Sequence, residues 1–119
     1  MAKFQFLVIA MFCLLLAGCA ERDKSKLSDA ELHLTPQQAA GRGIYRLNCS
    51  GCHEAYTSRK LDAFSLKGLY SKQYLPSGQP ANDDRVRNVI ERGRLTMPSF
   101  RDVLSPDETN ALIAYLHTL

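Results

Sequence analysis

Cys49-Ser50-Gly51-Cys52-His53 is the feature that most restricts what this chain of 119 residues can become. Two thiols separated by two small residues, with an imidazole directly after them, can all be presented by one tight turn. The rest of the chain is sparing in bulky side chains: 45% of it is hydrophobic, only 8% is aromatic, and Trp is absent. The length allows one ordinary domain and excludes a large multidomain enzyme. The formal net charge of +3 is too mild for a nucleic-acid-binding domain. Near-average apolar content excludes a disordered chain.

The other two cysteines, Cys13 and Cys19, lie at the start of the chain. Lys3 precedes an apolar run from Phe4 to Ala17 that only Gln5 interrupts. Such a run is short for a membrane-spanning helix, which needs about 20 apolar residues, and suits the core of a signal peptide. Leu16-Ala17-Gly18-Cys19 then resembles a bacterial lipobox. The resemblance implies removal of residues 1–18, a lipid on the Cys19 thiol, and anchoring to a membrane. An ordinary secretory signal or an uncleaved anchor is the plainer alternative. Ala20, where an Asp would resemble an inner-membrane retention signal, implies the outer membrane of a Gram-negative cell, facing the periplasm. Residues 20–34 alternate in charge sign with little apolar periodicity and are expected to form a flexible tether. A short amphipathic helix through Leu27, Leu32 and Leu34 is the competing possibility.

Residues 35–119 read as one small all-α domain. Thr35-Pro36-Gln37-Gln38 is a helix start, with Thr as N-cap, Pro at the first helical position and Gln completing a capping box. The spacing predicts a helix to about Leu47, with Ala40, Ile44 and Leu47 on one stripe and Gly41 and Tyr45 beside it. Ser105-Pro106-Asp107-Glu108 repeats the signal before a last helix whose apolar face is Leu112, Tyr115, Leu116 and Leu119. A helix starting at Asn82 or Asp83 carries Val86, Val89 and Ile90, and Gly93 stands where it should stop. A shorter helix is expected near Leu61 to Tyr70, and the stretch between Tyr74 and Asn82 reads as loop. About 85 residues with long loops make a marginal core, so a cofactor or cross-link should complete it.

Cys49-x-x-Cys52-His53 is the attachment pattern of c-type haem. Each thiol can add to one vinyl group, and the short turn lets both sulfurs reach the same edge, with His53 as the proximal ligand. A redox dithiol of the thioredoxin kind would need a βαβ context. A structural zinc site would need four ligands, and no further cysteine remains. A plain Cys49–Cys52 disulfide would leave both His53 and the core deficit unexplained. Met97 is the candidate second ligand: it lies on the loop Gly93-Arg94-Leu95-Thr96-Met97-Pro98, where Pro98 restrains its backbone, rather than on a helical stripe. Core filler is the ordinary role of such a methionine.

With these residues in place, residues 35–119 resemble a class I cytochrome c. Gly41-x-x-x-Tyr45-x-x-x-Cys49-x-x-Cys52-His53 is similar to the family's first helix and haem motif. Leu66-Lys67-Gly68-Leu69 resembles its Leu-x-Gly turn, Ile90-x-x-Gly93-x-x-x-Met97-Pro98 its methionine loop, and Leu112-Ile113-Ala114-Tyr115-Leu116 its last helix. The resemblance implies one covalent haem c on Cys49 and Cys52, with His53 and Met97 as axial ligands of the iron. It also implies a close crossing of the first and last helices at Gly41 and Tyr115. The family often carries a proline two residues before the Leu of the Leu-x-Gly turn, in the segment whose carbonyl orients the proximal histidine. Phe64 stands there instead.

Iron with both axial positions filled favours electron transfer over bond-making chemistry, so the expected function is a membrane-tethered electron carrier rather than an enzyme. A haem subunit docked to a larger dehydrogenase or oxidase is one alternative. A ligand-binding haem protein with a labile Met97 is another. Lys60, Lys67, Lys72, Arg85, Arg87, Arg92, Arg94 and Arg101 make the domain basic, which suits an acidic redox partner if some of them rim the haem edge. Arg92 and Arg94 flank the methionine loop and are the foremost of these. His33 and His117 are expected to be exposed rather than ligating.

Overall fold

The computed structural model describes residues 22–119. The expected signal peptide (residues 1–18) and the lipid-bearing Cys19 lie outside the described residues. Three helices carry the domain: α1 (Pro36–Asn48), α2 (Asp83–Arg92) and α3 (Pro106–Leu116). Short 3-10 turns occur at Lys24–Lys26 and Leu69–Ser71. The described residues contain no strand, only isolated bridges between Tyr74 and Pro80 and between Arg94 and Met97. The fold is therefore all-α. Among the described residues no helix is long and apolar enough to cross a membrane.

Each helix starts where its cap dictates. Thr35 Oγ1 accepts from the Gln38 N–H at 3.2 Å, and Gln38 Oε1 accepts from the Thr35 N–H at 2.9 Å. Ser105 and Glu108 form the same reciprocal pair at 3.2 and 2.8 Å. Asn82 Oδ1 accepts from the Arg85 N–H at 3.0 Å and starts α2. Such a cap contributes about 1 kcal/mol, enough to set the boundaries of helices this short.

α1 and α3 cross at Gly41. A Cβ placed on Gly41 would run into the carbonyl group of Ala111 and lie 2.9 Å from Tyr115 Cβ. The two backbones touch there, so any side chain at this position forces the helices to shift. Tyr115, fully buried, lies over Tyr45 with ring centroids 5.5 Å apart. Its hydroxyl donates to Tyr56 Oη at 2.7 Å.

The structure departs from the sequence reading in three places. The buried face of α1 is Gly41, Arg42 and Tyr45, not the stripe through Ala40 and Leu47; Leu47 is 86% exposed. The physical cause is the crossing, which turns the face bearing Gly41 inward. The segment 61–68 is irregular, and only Leu69–Ser71 winds into a 3-10 turn. Its backbone is committed elsewhere, Ala63 N–H to Cys52 O and Leu66 N–H to Glu54 O. Residues 22–34, expected as a flexible tether, are folded onto α1. The buried Arg42 guanidinium donates to Asp29 Oδ1 at 2.7 Å and to the Leu27 carbonyl at 2.8 Å. Side chains of alternating sign made this segment look solvated, but one of them, Asp29, and three of its main-chain carbonyls form the contact.

Candidate functional site

The thiol–imidazole motif follows α1 without a break. Cys49 N–H and Ser50 N–H both donate to Tyr45 O, at 2.8 and 3.0 Å, and cap the helix. Cys52 N–H and His53 N–H then donate to Cys49 O at 3.1 and 2.9 Å. This closes the tight turn that the two small residues Ser50 and Gly51 permit. The Tyr45 hydroxyl donates to His53 O at 2.6 Å and ties the end of the turn back to the helix.

His53 is buried, 8% exposed, and its ring is held by the irregular segment that follows. Nδ1 lies 2.8 Å from the carbonyl oxygen of Phe64. A carbonyl can only accept, so the proton is on Nδ1 and Nε2 keeps its lone pair. Among the described residues Nε2 has no hydrogen-bond partner. The Phe64 ring meets the imidazole edge-on, with centroids 5.2 Å apart and planes at 79°. The bonds from Ala63 N–H to Cys52 O (3.0 Å) and from Leu66 N–H to Glu54 O (2.8 Å) set the register that points the Phe64 carbonyl at the ring.

Met97 reaches the same place from the other side of the chain. Gly93 ends α2 at φ 69°, and a Cβ there would lie 2.5 Å from Met97 O and 2.7 Å from the Pro98 carbonyl carbon. Arg94 and Met97 exchange both backbone hydrogen bonds, at 3.0 and 2.9 Å, across a turn whose Leu95 has φ 53°. Ser99 Oγ and Arg101 N–H donate to Glu91 O, and Phe100 N–H donates to Ile90 O, so the loop folds back on the end of α2. The methionine backbone is thus fixed on both flanks, beyond what Pro98 alone provides.

Cys49, His53 and Met97 line one cleft, whose remaining walls are Phe64, Leu66, Leu69, Leu75, Val86, Val89, Ile90, Leu112 and Leu116. Apart from the donor residues, every wall side chain is apolar. The cleft opens toward a mouth edged by Lys60, Asp62, Arg94, Leu95 and Thr96. Cys52 is exposed and Cys49 half-buried, and neither is in a disulfide. Burial, aided by the neighbouring Cys52, pushes the Cys49 thiol up to about 11. A redox-active dithiol needs the opposite shift. The described residues contain no group of three His, Cys, Asp or Glu side chains able to hold a metal ion, which leaves the zinc alternative without ligands. Two thiols, an imidazole with a free Nε2, a thioether and an apolar cleft do fit a covalently held haem.

Of the remaining candidates, Arg94 reaches the cleft mouth, whereas Arg92 is exposed on α2 and does not line it. His33 and His117 are exposed. His117 stacks on Tyr70 at 3.7 Å and pairs with Asp83 Oδ1 at 2.8 Å. The structure adds participants that the motifs alone did not identify: the Phe64 carbonyl, the Tyr45 hydroxyl, and Leu75 and Val86 in the wall.

Residues 36–116 match the family model described as cytochrome c oxidase, cbb3-type, subunit III. A cytochrome bc1 complex cytochrome c subunit of Corynebacterium diphtheriae is 37% identical over 79 residues, covering 66% of this chain and 26% of that protein. The subunit of the same name from Mycobacterium leprae is 34% identical over 84 residues, again 66% and 26%. Cytochrome c6 of Tetradesmus obliquus is 27% identical over 79 residues, 66% of this chain and 86% of that protein. The chain spans about a quarter of the length of the two bc1 subunits. With the family matched across the whole helical domain and the thiol pair set for covalent attachment, the chain belongs to the cbb3-type subunit III family and is a monohaem c-type cytochrome that carries haem c on Cys49 and Cys52.

Proposed function

We propose that this cytochrome is a membrane-tethered electron carrier in which His53 and Met97 are the axial ligands and Cys19 bears a lipid anchor on the periplasmic side. The observation that supports the ligation is that His53, with its Nε2 free, and Met97 line the same apolar cleft. When bound, haem supplies one-electron chemistry by cycling its iron between ferrous and ferric states.

The chain's own residues account for the rest. The Phe64 carbonyl holds the imidazole in one tautomer and raises its basicity. The Met97 thioether favours the ferrous state, and the Gly93–Met97 turn keeps it in place. The aliphatic walls exclude water, so little solvent has to reorganise when charge changes. Lys60 and Arg94 outnumber Asp62 at the mouth, leaving it with a net positive charge that suits an acidic partner surface. The names of the relatives favour a membrane complex of the bc1 or oxidase type as that partner.

The same names favour a second reading, in which the domain is a permanent subunit of such a complex. Co-purification at fixed stoichiometry would support it, and a freely exchanging protein would exclude it. For the ligation, Met97→Ala should abolish the long-wavelength band of methionine-ligated ferric haem, lower the potential and allow carbon monoxide to bind the reduced form. An unchanged spectrum would refute the role of Met97. Ready carbon monoxide binding by the wild type would instead favour a ligand-binding protein with a labile methionine.

A further inference from the structure

Arg42 takes no part in the haem site, yet it is among the most buried residues of the domain at 2% exposure. It follows Gly41 on the buried face of α1, and all its partners lie in residues 22–34. Its guanidinium donates to Asp29 Oδ1 at 2.7 Å and to the carbonyls of Leu27, Ser25 and Lys24 at 2.8, 3.3 and 3.4 Å. A rigid fork whose two terminal nitrogens both donate into one peptide segment is a clamp, not a chance surface pair. The segment is also closed on itself. Glu31 accepts from the Ser28 N–H and hydroxyl at 2.9 and 2.8 Å, and Arg22 pairs with Glu31 at 2.6 Å. Leu34 packs against the core.

We infer that residues 22–34 form a folded collar locked by Arg42, which holds the anchored domain close to the bilayer and limits its electron exchange to a membrane-embedded partner whose port lies near the lipid surface. The inference rests on the lipid-anchored reading of Cys19. A free chain from Cys19 to Thr35 could extend about 55 Å, whereas the span from Cys19 to Arg22 reaches about 11 Å at most. The first leash would let the domain sample sites high above the membrane. The second keeps the Arg22 end of the domain at the headgroups and restricts which faces it can turn toward a partner.

The test uses the full, haem-loaded, lipidated protein on vesicles containing a headgroup-labelled fluorescent lipid, which haem quenches with a steep dependence on height. The wild type should quench strongly. Inserting a Gly/Ser segment as long as the collar after Ala20 should reduce quenching several-fold, and Arg42→Met should do the same without altering the haem spectrum. Unchanged quenching in Arg42→Met overturns the inference. Asp29→Asn, which spares the helix, serves as the second variant if Arg42→Met does not fold. In solution, trypsin should cut after Lys24 and Lys26 about tenfold faster in the Arg42→Met or Asp29→Asn variant than in the wild type, because cleavage follows the opened population. Equal rates would mean there is no collar. Failure of the wild type to bind vesicles would overturn the anchor reading and the reach drawn from it, while proteolysis still decides the collar.

Discussion

His53 Nδ1 donates to the carbonyl oxygen of Phe64 at 2.8 Å, and the ring of the same Phe64 meets the imidazole edge-on. One residue therefore orients the histidine twice, once through its backbone and once through its side chain. Only the backbone contact selects the tautomer that leaves Nε2 free. The side chain contributes wall area to the cleft.

This division can be tested with Phe64→Pro. The Phe64 N–H makes no backbone hydrogen bond, so proline removes no donor that the fold uses. The variant should keep a slowly exchanging His53 Nδ1–H resonance while losing at most about 3–5 kcal/mol, the cost of removing a fully buried phenyl ring. Disappearance of that resonance would show that the side chain, not the carbonyl, holds the imidazole.

Gly41→Ala should strike the fold rather than the site. The added methyl group meets the backbone of Ala111, which has no rotamer to move. Overpacking of this kind costs about 1–3 kcal/mol and occasionally more. Denaturant unfolding of the haem-loaded variant should show a lowered midpoint. A midpoint equal to the wild type would mean that the two helices can slide apart at no cost.

Gly93→Ala should act on the methionine loop. The residue sits at φ 69° and ψ 175°, a conformation almost restricted to glycine and costing other residues about 1–3 kcal/mol. The new methyl group would also press on Met97 O. The band of methionine-ligated ferric haem should weaken at a lower temperature than helix content is lost. Coincident loss of both signals would count against a local role.

Acid should loosen the collar through Glu31. The Ser28 N–H, then the Ser28 hydroxyl and Arg22, hold its carboxyl down to about 2 from an ordinary 4.5. A carboxyl depressed by folding stabilises the collar above its unfolded value and loses that effect as pH falls toward the folded one. Pepsin cleavage within residues 22–34 should therefore accelerate as pH falls from 4.5 toward 2. A carbon-13 titration should find the Glu31 midpoint well below the ordinary value, and Ser28→Ala should raise it. A wild-type midpoint near 4.5 would refute the arrangement.

Much of the fold and site was legible locally. Thr35 and Ser105 announced their helices because a capping box lies within four residues, and Gly93 announced an end because only glycine accepts its backbone angles. Cys49, Cys52 and His53 declared their chemistry because covalent attachment needs those atoms at that spacing. The crossing at Gly41 could be anticipated from the resemblance, although the contact itself is mainly with the backbone of Ala111 rather than with Tyr115.

By itself, then, the sequence determined the three capped helices and the thiol pair for a covalent haem, all of which depend on residue type at short range. The tertiary structure alone decided which face of α1 is buried, which carbonyl orients His53, and that residues 22–34 close over Arg42. The physical reason is common to the last two. Apart from Asp29 Oδ1, the acceptors are main-chain oxygens, which every residue carries, so their selection leaves no mark in the sequence. It becomes visible only when the folded chain brings a particular carbonyl within reach of its donor.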